Sequence, residues 1–183
     1  MPFPSALKQN AKVHHAMKAF DTGMERPLLD MQQLIMRSED SPLSVAQREL
    51  IAAYVSALNN CAYCLGAHEA TAVGYGINDG LVSELINEIE TANIEANLKP
   101  IFRYVKKLTE EAPSLTQEDW DAVINAGWSE RALYDAIAVC CAFSFMNRYT
   151  NGLGLEAIPT DFAKEARYLK ATGYAVANLL RLK

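Results

Sequence analysis

The sequence predicts an all-α fold, and three observations carry that reading. Apolar residues recur at helical spacing through the long segments, Ser, Thr and Gly stand where such segments would start and stop, and no stretch alternates long enough to build a sheet. At 183 residues the chain is long enough for one sizeable core, and it is read as a single domain spanning 1–183. Half its residues are hydrophobic and about a fifth charged, which argues for a folded rather than a disordered chain. The net charge of −5, with no local Lys/Arg cluster, makes nucleic acid a poor partner. No window approaches the roughly 18–20 apolar residues needed to cross a bilayer, so no membrane association is expected. The N-terminus lacks the pattern of a secretion signal, and the expectation is a cytoplasmic protein.

Residues 1–40 form a helical extension, with pieces at about Ser5 to Phe20 and Leu28 to Met36 punctuated by Phe3-Pro4 and Arg26-Pro27. Within it His14 and His15 are adjacent and point apart, which suits surface or packing roles better than a shared metal site. Met17, Met24, Met31 and Met36 are irregularly spaced and read as gap fillers. Ser44 and Gln47 form a capping box that opens the next helix, where Leu50, Ile51, Tyr54, Val55 and Leu58 make a buried stripe. Asn59-Asn60 should break that helix, since both residues suit turns and caps. A second helix then runs to about Val73 and stops at Gly74-Tyr75-Gly76.

Leu81, Leu85, Ile86 and Ile89 mark another helix, and Ile101, Tyr104, Val105 and Leu108 the one after. Glu110 to Leu115, with Pro113, reads as the clearest internal loop. Thr116 with Asp119 caps a short helix through Ile124, ended by Gly127. Glu130 to Tyr149 is apolar nearly all round between Ile137 and Phe145, as a central core element or a subunit interface would be. Cys140 and Cys141 lie inside that run and read as core filling, because adjacent positions face different sides of a helix. Beyond Thr160, residues Phe162, Ala166, Leu169, Tyr174, Val176 and Leu179 suggest closing helices with Gly173 as a hinge.

The chemistry concentrates between Glu49 and His68. Cys61, Cys64 and His68 stand at i, i+3 and i+7, one face of a helix that begins at the Asn59-Asn60 break. On an uninterrupted helix Glu49 would lie roughly 18 Å from Cys61 and share no chemistry with it. The break instead lets the two helices fold back as an antiparallel hairpin, bringing Glu49 toward His68. It also puts Cys61 at the first turn, where free N–H groups and the helix dipole favour a thiolate, while Cys64 comes within reach of the His68 imidazole. Glu49 could then orient that ring or pass its proton onward.

The pattern Glu49, eleven residues, Cys61-Ala-Tyr-Cys64, three residues, His68 resembles the active-site motif of the AhpD-like alkylhydroperoxidases in the carboxymuconolactone decarboxylase superfamily. Ser44 to Gly76 is similar to that domain. Asn147-Arg148 with Gly152-Leu153-Gly154-Leu155-Glu156 is similar to its peroxidase-related branch, so that about 40–160 is covered. The resemblance implies an AhpD-like helical bundle and a thiol-dependent alkylhydroperoxide reductase. In that enzyme Cys64 would attack the peroxide, Cys61 would resolve the sulfenic acid, and Glu49 and His68 would relay protons. It implies a dithiol reductant of lipoyl or thioredoxin-like type, a homo-oligomer of trimers or hexamers, and no cofactor. Tyr63 stands where the family's best-known member has a second histidine, and with a pKa near 10 a phenol does not relay protons at neutral pH as imidazole does. Tyr63, Asn147 and Arg148 are further pocket candidates.

Other readings compete on the residues alone. A Cys-x-x-Cys can be half a zinc site, although Cys140-Cys141 has the wrong spacing for the other half. It can be an inert buried pair, or the redox switch of a sensing or disulfide-exchange oligomer without useful turnover. A carboxymuconolactone decarboxylase-like enzyme is the remaining alternative, and both thiols argue against it.

Overall fold

The computed structural model describes residues 1–175, and among these the chain forms nine α-helices and no strand. They are α1 (Val13–Phe20), α2 (Glu25–Arg37), α3 (Val45–Leu58), α4 (Ala62–Gly74), α5 (Leu81–Asn87), α6 (Lys99–Glu111), α7 (Gln117–Asn125), α8 (Glu130–Gly152) and α9 (Pro159–Thr172). None is long and apolar enough to cross a membrane.

The core is built around α3, which packs on α4, α5, α6 and α8. Its start is fixed by the Ser44 hydroxyl accepting from Gln47 N–H, with the Gln47 side chain reaching back to Ser44 N–H. Every residue from Arg48 to Ser56 is buried, so α3 is enclosed on all sides rather than along one stripe. At its end Asn60 takes φ 53°, a left-handed conformation that asparagine tolerates better than branched residues. Three residues, Asn59, Asn60 and Cys61, therefore suffice to reverse the chain, and α4 returns along α3 as the predicted hairpin.

Helix α9 lies along α4 and closes the other side of the molecule. Gly66 makes this approach close, because a Cβ there would enter the ring of Phe162. The Lys12 ammonium ties the start of α1 to α9 through Asp161 at 2.9 Å and Glu165 at 2.6 Å.

Several elements differ from expectation. The first helix begins at Val13 rather than Ser5, since Pro4 and the left-handed Asn10 (φ 66°) hold the preceding residues in turns. Helix α6 persists to Glu111, and Ala112–Ser114 tighten into a 3-10 turn, so Glu110 to Leu115 is not an open loop. Helix α8 extends one turn farther, to Gly152. Cys140 is buried and hydrogen-bonds Thr109, but Cys141 is exposed, so only the first of the pair fills the core. Met17 and Met36 are buried, whereas Met24 and Met31 are exposed. Val176 and Leu179 lie outside the described residues.

Candidate functional site

The hairpin brings Glu49 and His68 together. Glu49 is fully buried on α3, and its Oε2 lies 2.7 Å from His68 Nδ1 on α4. Its other oxygen, Oε1, meets the Arg37 guanidinium of α2 at 2.7 Å and the Tyr174 hydroxyl at 3.2 Å. Burial works against the charge on Glu49, but His68 and Arg37 outweigh it and hold the carboxyl below its usual range. The imidazole is fixed by an edge contact with Phe143 of α8, ring centres 4.3 Å apart, and by stacking on Tyr174.

The two thiols sit where α4 begins. Cys61 is the residue before its first turn, its N–H donating to Ser56 C=O at 2.9 Å, and Cys64 is one turn on. Both are unbridged. The Thr150 hydroxyl of α8 lies 3.2 Å from Cys61 Sγ and 3.3 Å from Cys64 Sγ, so one side chain touches both sulfurs. The Cys64 thiol donates to Cys61, and with Thr150, the Cys64 N–H and Asn147 it outweighs burial and brings Cys61 down to about 6. Cys64, as the donor of that bond, buried and beside a negative sulfur, is pushed well above the ordinary thiol range. The pair thus titrates as a unit, with Cys61 the sulfur that ionises more readily.

Behind the sulfurs a polar network joins α3 to α8. Asn147 is fully buried, donating through Nδ2 to Ser56 Oγ at 2.9 Å and accepting at Oδ1 from Asn59 at 3.1 Å. In front of them lies a cavity of about 390 Å³ lined by Cys64, His68, Tyr63 and Thr150, with Met17, Phe143 and Met146 supplying apolar wall. Cys61 does not line it and is wholly buried. The hydrogen bonds of Cys64 go to Cys61, Thr150 and Asn147, and those of His68 Nδ1 to Glu49 and Tyr174; the thiol and the ring meet by sharing the cavity one helical turn apart.

Of the sequence candidates, Glu49 and His68 form one pair and Cys61 and Cys64 another, and the two pairs adjoin where Cys64 and His68 line the cavity. Tyr63 lines the cavity, but its hydroxyl accepts from Val13 N–H at 3.2 Å and is thereby turned toward α1. Asn147 lies behind the thiols rather than in the cavity. Arg148 does not join them: one position along α8 rotates it to the exposed face, where it donates to Ser144 C=O at 2.8 Å. Arg37, Thr150 and Tyr174 escaped sequence reasoning, because each reaches the site from a distant part of the chain with no spacing motif to announce it. Among the described residues no three His, Cys, Asp or Glu side chains gather as metal ligands.

Residues 23–107 match the model of the carboxymuconolactone decarboxylase family. The chain is similar to an uncharacterized peroxidase-related protein from a Silicibacter species, with a TM-score of 0.74 and 25% identity over 82% of this chain and 78% of that one. It shares its fold with an uncharacterized peroxidase-related protein of Ralstonia eutropha described as an alkylhydroperoxidase AhpD core. There the TM-score is 0.73 and the identity 22%, over 81% and 77% of the two chains. A protein of unknown function from Agrobacterium tumefaciens has the same fold, with a TM-score of 0.67 and 16% identity over 82% of this chain and 99% of that one. No curated protein matches the sequence. Nearly half of the chain thus matches the carboxymuconolactone decarboxylase family model, and its fold is that of AhpD-like, peroxidase-related proteins.

Proposed function

We propose that the protein is a thiol-dependent hydroperoxide reductase in which Cys64 is peroxidatic and Cys61 resolving. The observation that carries this reading is the asymmetry of the pair: Cys64 opens onto the cavity while Cys61, the more acidic sulfur, lies behind it. As Cys64 attacks the terminal peroxide oxygen, its proton passes to the Cys61 thiolate. The O–O bond breaks, Cys64 becomes a sulfenic acid, and the departing alkoxide leaves as the alcohol with a proton that the Glu49–His68 relay takes from solvent onto His68 Nε2 and passes on. Cys61 sulfur then attacks the Cys64 sulfur, expelling water and forming the disulfide. An external dithiol, of lipoyl or thioredoxin-like type, reduces that disulfide to the two thiols and is itself oxidised.

The apolar cavity wall suits an organic hydroperoxide. Tyr134, Cys141 and Phe145 are exposed along one side of α8, which supports a homo-oligomer that covers this face. A cysteine pair that must be reduced again in every cycle suits a reducing compartment such as the cytoplasm.

The test follows the loss of an organic hydroperoxide in the presence of excess dithiol for the wild type, Cys64→Ser and Cys61→Ser. The expected result is catalytic consumption by the wild type and none by Cys64→Ser, with Cys61→Ser turning over much more slowly because its sulfenic acid must wait for the external dithiol to resolve it. Equal consumption by all three would remove the assignment. A single stoichiometric oxidation by the wild type, without turnover, would identify a redox sensor instead.

A further inference from the structure

The Glu49 carboxylate is more heavily partnered than a carboxylate that only orients a histidine would need to be. Its Oε2 serves His68, while Oε1 receives both the Arg37 guanidinium and the Tyr174 hydroxyl. These two extra partners are themselves held in place. Arg37 donates to Met36 C=O at 2.9 Å and Leu169 C=O at 3.3 Å, and its guanidinium lies 5.0 Å from the centre of the Tyr174 ring. Tyr174 is buried, its N–H donates to Gln33 Oε1 at 2.7 Å, and its ring stacks on His68 with planes 13° apart. Gly173 makes the seat reachable: it takes φ 60° and ψ −148°, and a Cβ there would stand 2.6 Å from Gln33 Oε1. Helix α2 and the turn after α9 are thus built to deliver a cation and a phenol to one oxygen of one buried carboxylate.

The consequence falls on the imidazole. A buried carboxylate needs a compensating positive charge, and were His68 the sole partner it would have to supply one by remaining protonated. Arg37 supplies that charge independently, so Glu49 stays anionic whether or not His68 carries a second proton. An anionic Oε2 at 2.7 Å can only accept, so the neutral ring keeps its proton on Nδ1. With Nδ1 donating, the single Tyr174 hydroxyl proton goes to Oε1, which matches its 3.2 Å approach there. Nε2 is then the nitrogen that accepts.

We propose that Arg37 and Tyr174 are positioning residues that hold Glu49 as an anion and so fix His68 as the Nδ1–H tautomer, with Nε2 as the proton acceptor of the cavity. The proposal rests on the Glu49–His68 relay assigned above, but its test uses the reduced, resting protein without peroxide, so it can fail or succeed independently of turnover. Besides Cys64 and Tyr63 on its own helix, and Tyr174 itself, the ionisable groups lining the cavity are Lys12, His14 and His15 on the α1 side and Asp161, Lys164, Glu165 and Tyr168 on α9. All of these other than Tyr174 are common to the variants compared.

The experiment is nitrogen-15 NMR of the histidine ring as a function of pH, with His68 assigned by its loss in His68→Gln. For the wild type the expected spectrum above the ring's titration shows a protonated Nδ1 and a bare Nε2. In Arg37→Met the Glu49–His68 pair should hold an extra proton, raising the pH at which the ring becomes neutral by about 1–3 units, the usual effect of one adjacent charge. Arg37→Lys should restore most of the wild-type profile, and Tyr174→Phe should raise it in the same direction by less. A wild-type Nε2–H tautomer, or a titration unchanged in Arg37→Met, would overturn the proposal. If Arg37→Met does not fold, Tyr174→Phe decides: a raised midpoint supports the assignment, and an unchanged one overturns it.

Discussion

One hydroxyl, that of Thr150, bridges two sulfurs whose acidities are driven apart, and the sharpest expectation concerns its proton. The hydroxyl also lies 2.9 Å from Met146 C=O, its own helix's carbonyl, so it can donate there while the sulfurs are thiols and turn to Cys61 when that sulfur is charged. The ultraviolet thiolate absorbance of the reduced protein should therefore titrate one sulfur with a midpoint near pH 6. Thr150→Val conserves the volume and removes a hydrogen bond to a charged atom, a change of about 1.5–3 kcal/mol. It should raise the midpoint by about one pH unit or more. The sign is that of a thiol with a depressed pKa: losing a donor to the charged form makes ionisation harder. A midpoint that stays near 6 in the valine variant would mean that Thr150 does not stabilise the thiolate. At this scale Glu49, Cys61, Cys64 and His68 were legible because the motif lies within 20 consecutive residues. Thr150 lies 89 positions from Cys61 and Tyr174 lies 125 from Glu49, separations at which no periodicity survives.

Between helices, the two-asparagine turn decides whether the four motif residues meet. Its existence could be read from Asn59-Asn60, and so could the cap at Ser44 that sets the register of Glu49. What could not be read was the asymmetry inside the turn: Asn59 bonds Asn147 and Ser144 of α8, while Asn60 is the residue that adopts φ 53°. Substitutions should therefore divide sharply. Asn60→Gly fits the left-handed conformation and should leave the unfolding temperature within a degree or two. Asn60→Val forces a branched residue into that region and should cost about 1–3 kcal/mol, read from denaturant unfolding. The valine variant should also raise the Cys61 midpoint, because the start of α4 shifts with the turn. Equal stabilities for Gly and Val would show that the turn relaxes without its left-handed residue. The same scale explains the misread boundaries. Apolar spacing marks where a helix can be, but α1 starts late and α6 ends late for reasons of backbone conformation, and α8 gained the last turn that carries Thr150.

For the whole molecule, the cavity is the product of five helices, and the contact that keeps it closed is the one between α4 and α9. Spacing predicted α9 from its apolar positions, but nothing in Gly66 itself says that Phe162, 96 residues later, will lie against its backbone. Such a close approach can be tested as a pair. Gly66→Ala gains the better helix propensity of alanine, about 1 kcal/mol on a free helix, so a surface glycine would be stabilised by the change. Here the new methyl group meets the Phe162 ring, and the half-buried ring must swing outward or α9 must lift, at about 1–3 kcal/mol for overpacking. The net effect expected is destabilisation, together with faster alkylation of Cys64 as the cavity opens. Phe162→Ala alone should also destabilise by removing the ring. The double variant should be more stable than the sum of the two losses predicts, because the methyl group then fills space that the ring has vacated. Strict additivity in that cycle, measured by chemical unfolding, would place α9 away from Gly66 in solution and would leave Cys64 without the wall that shelters it.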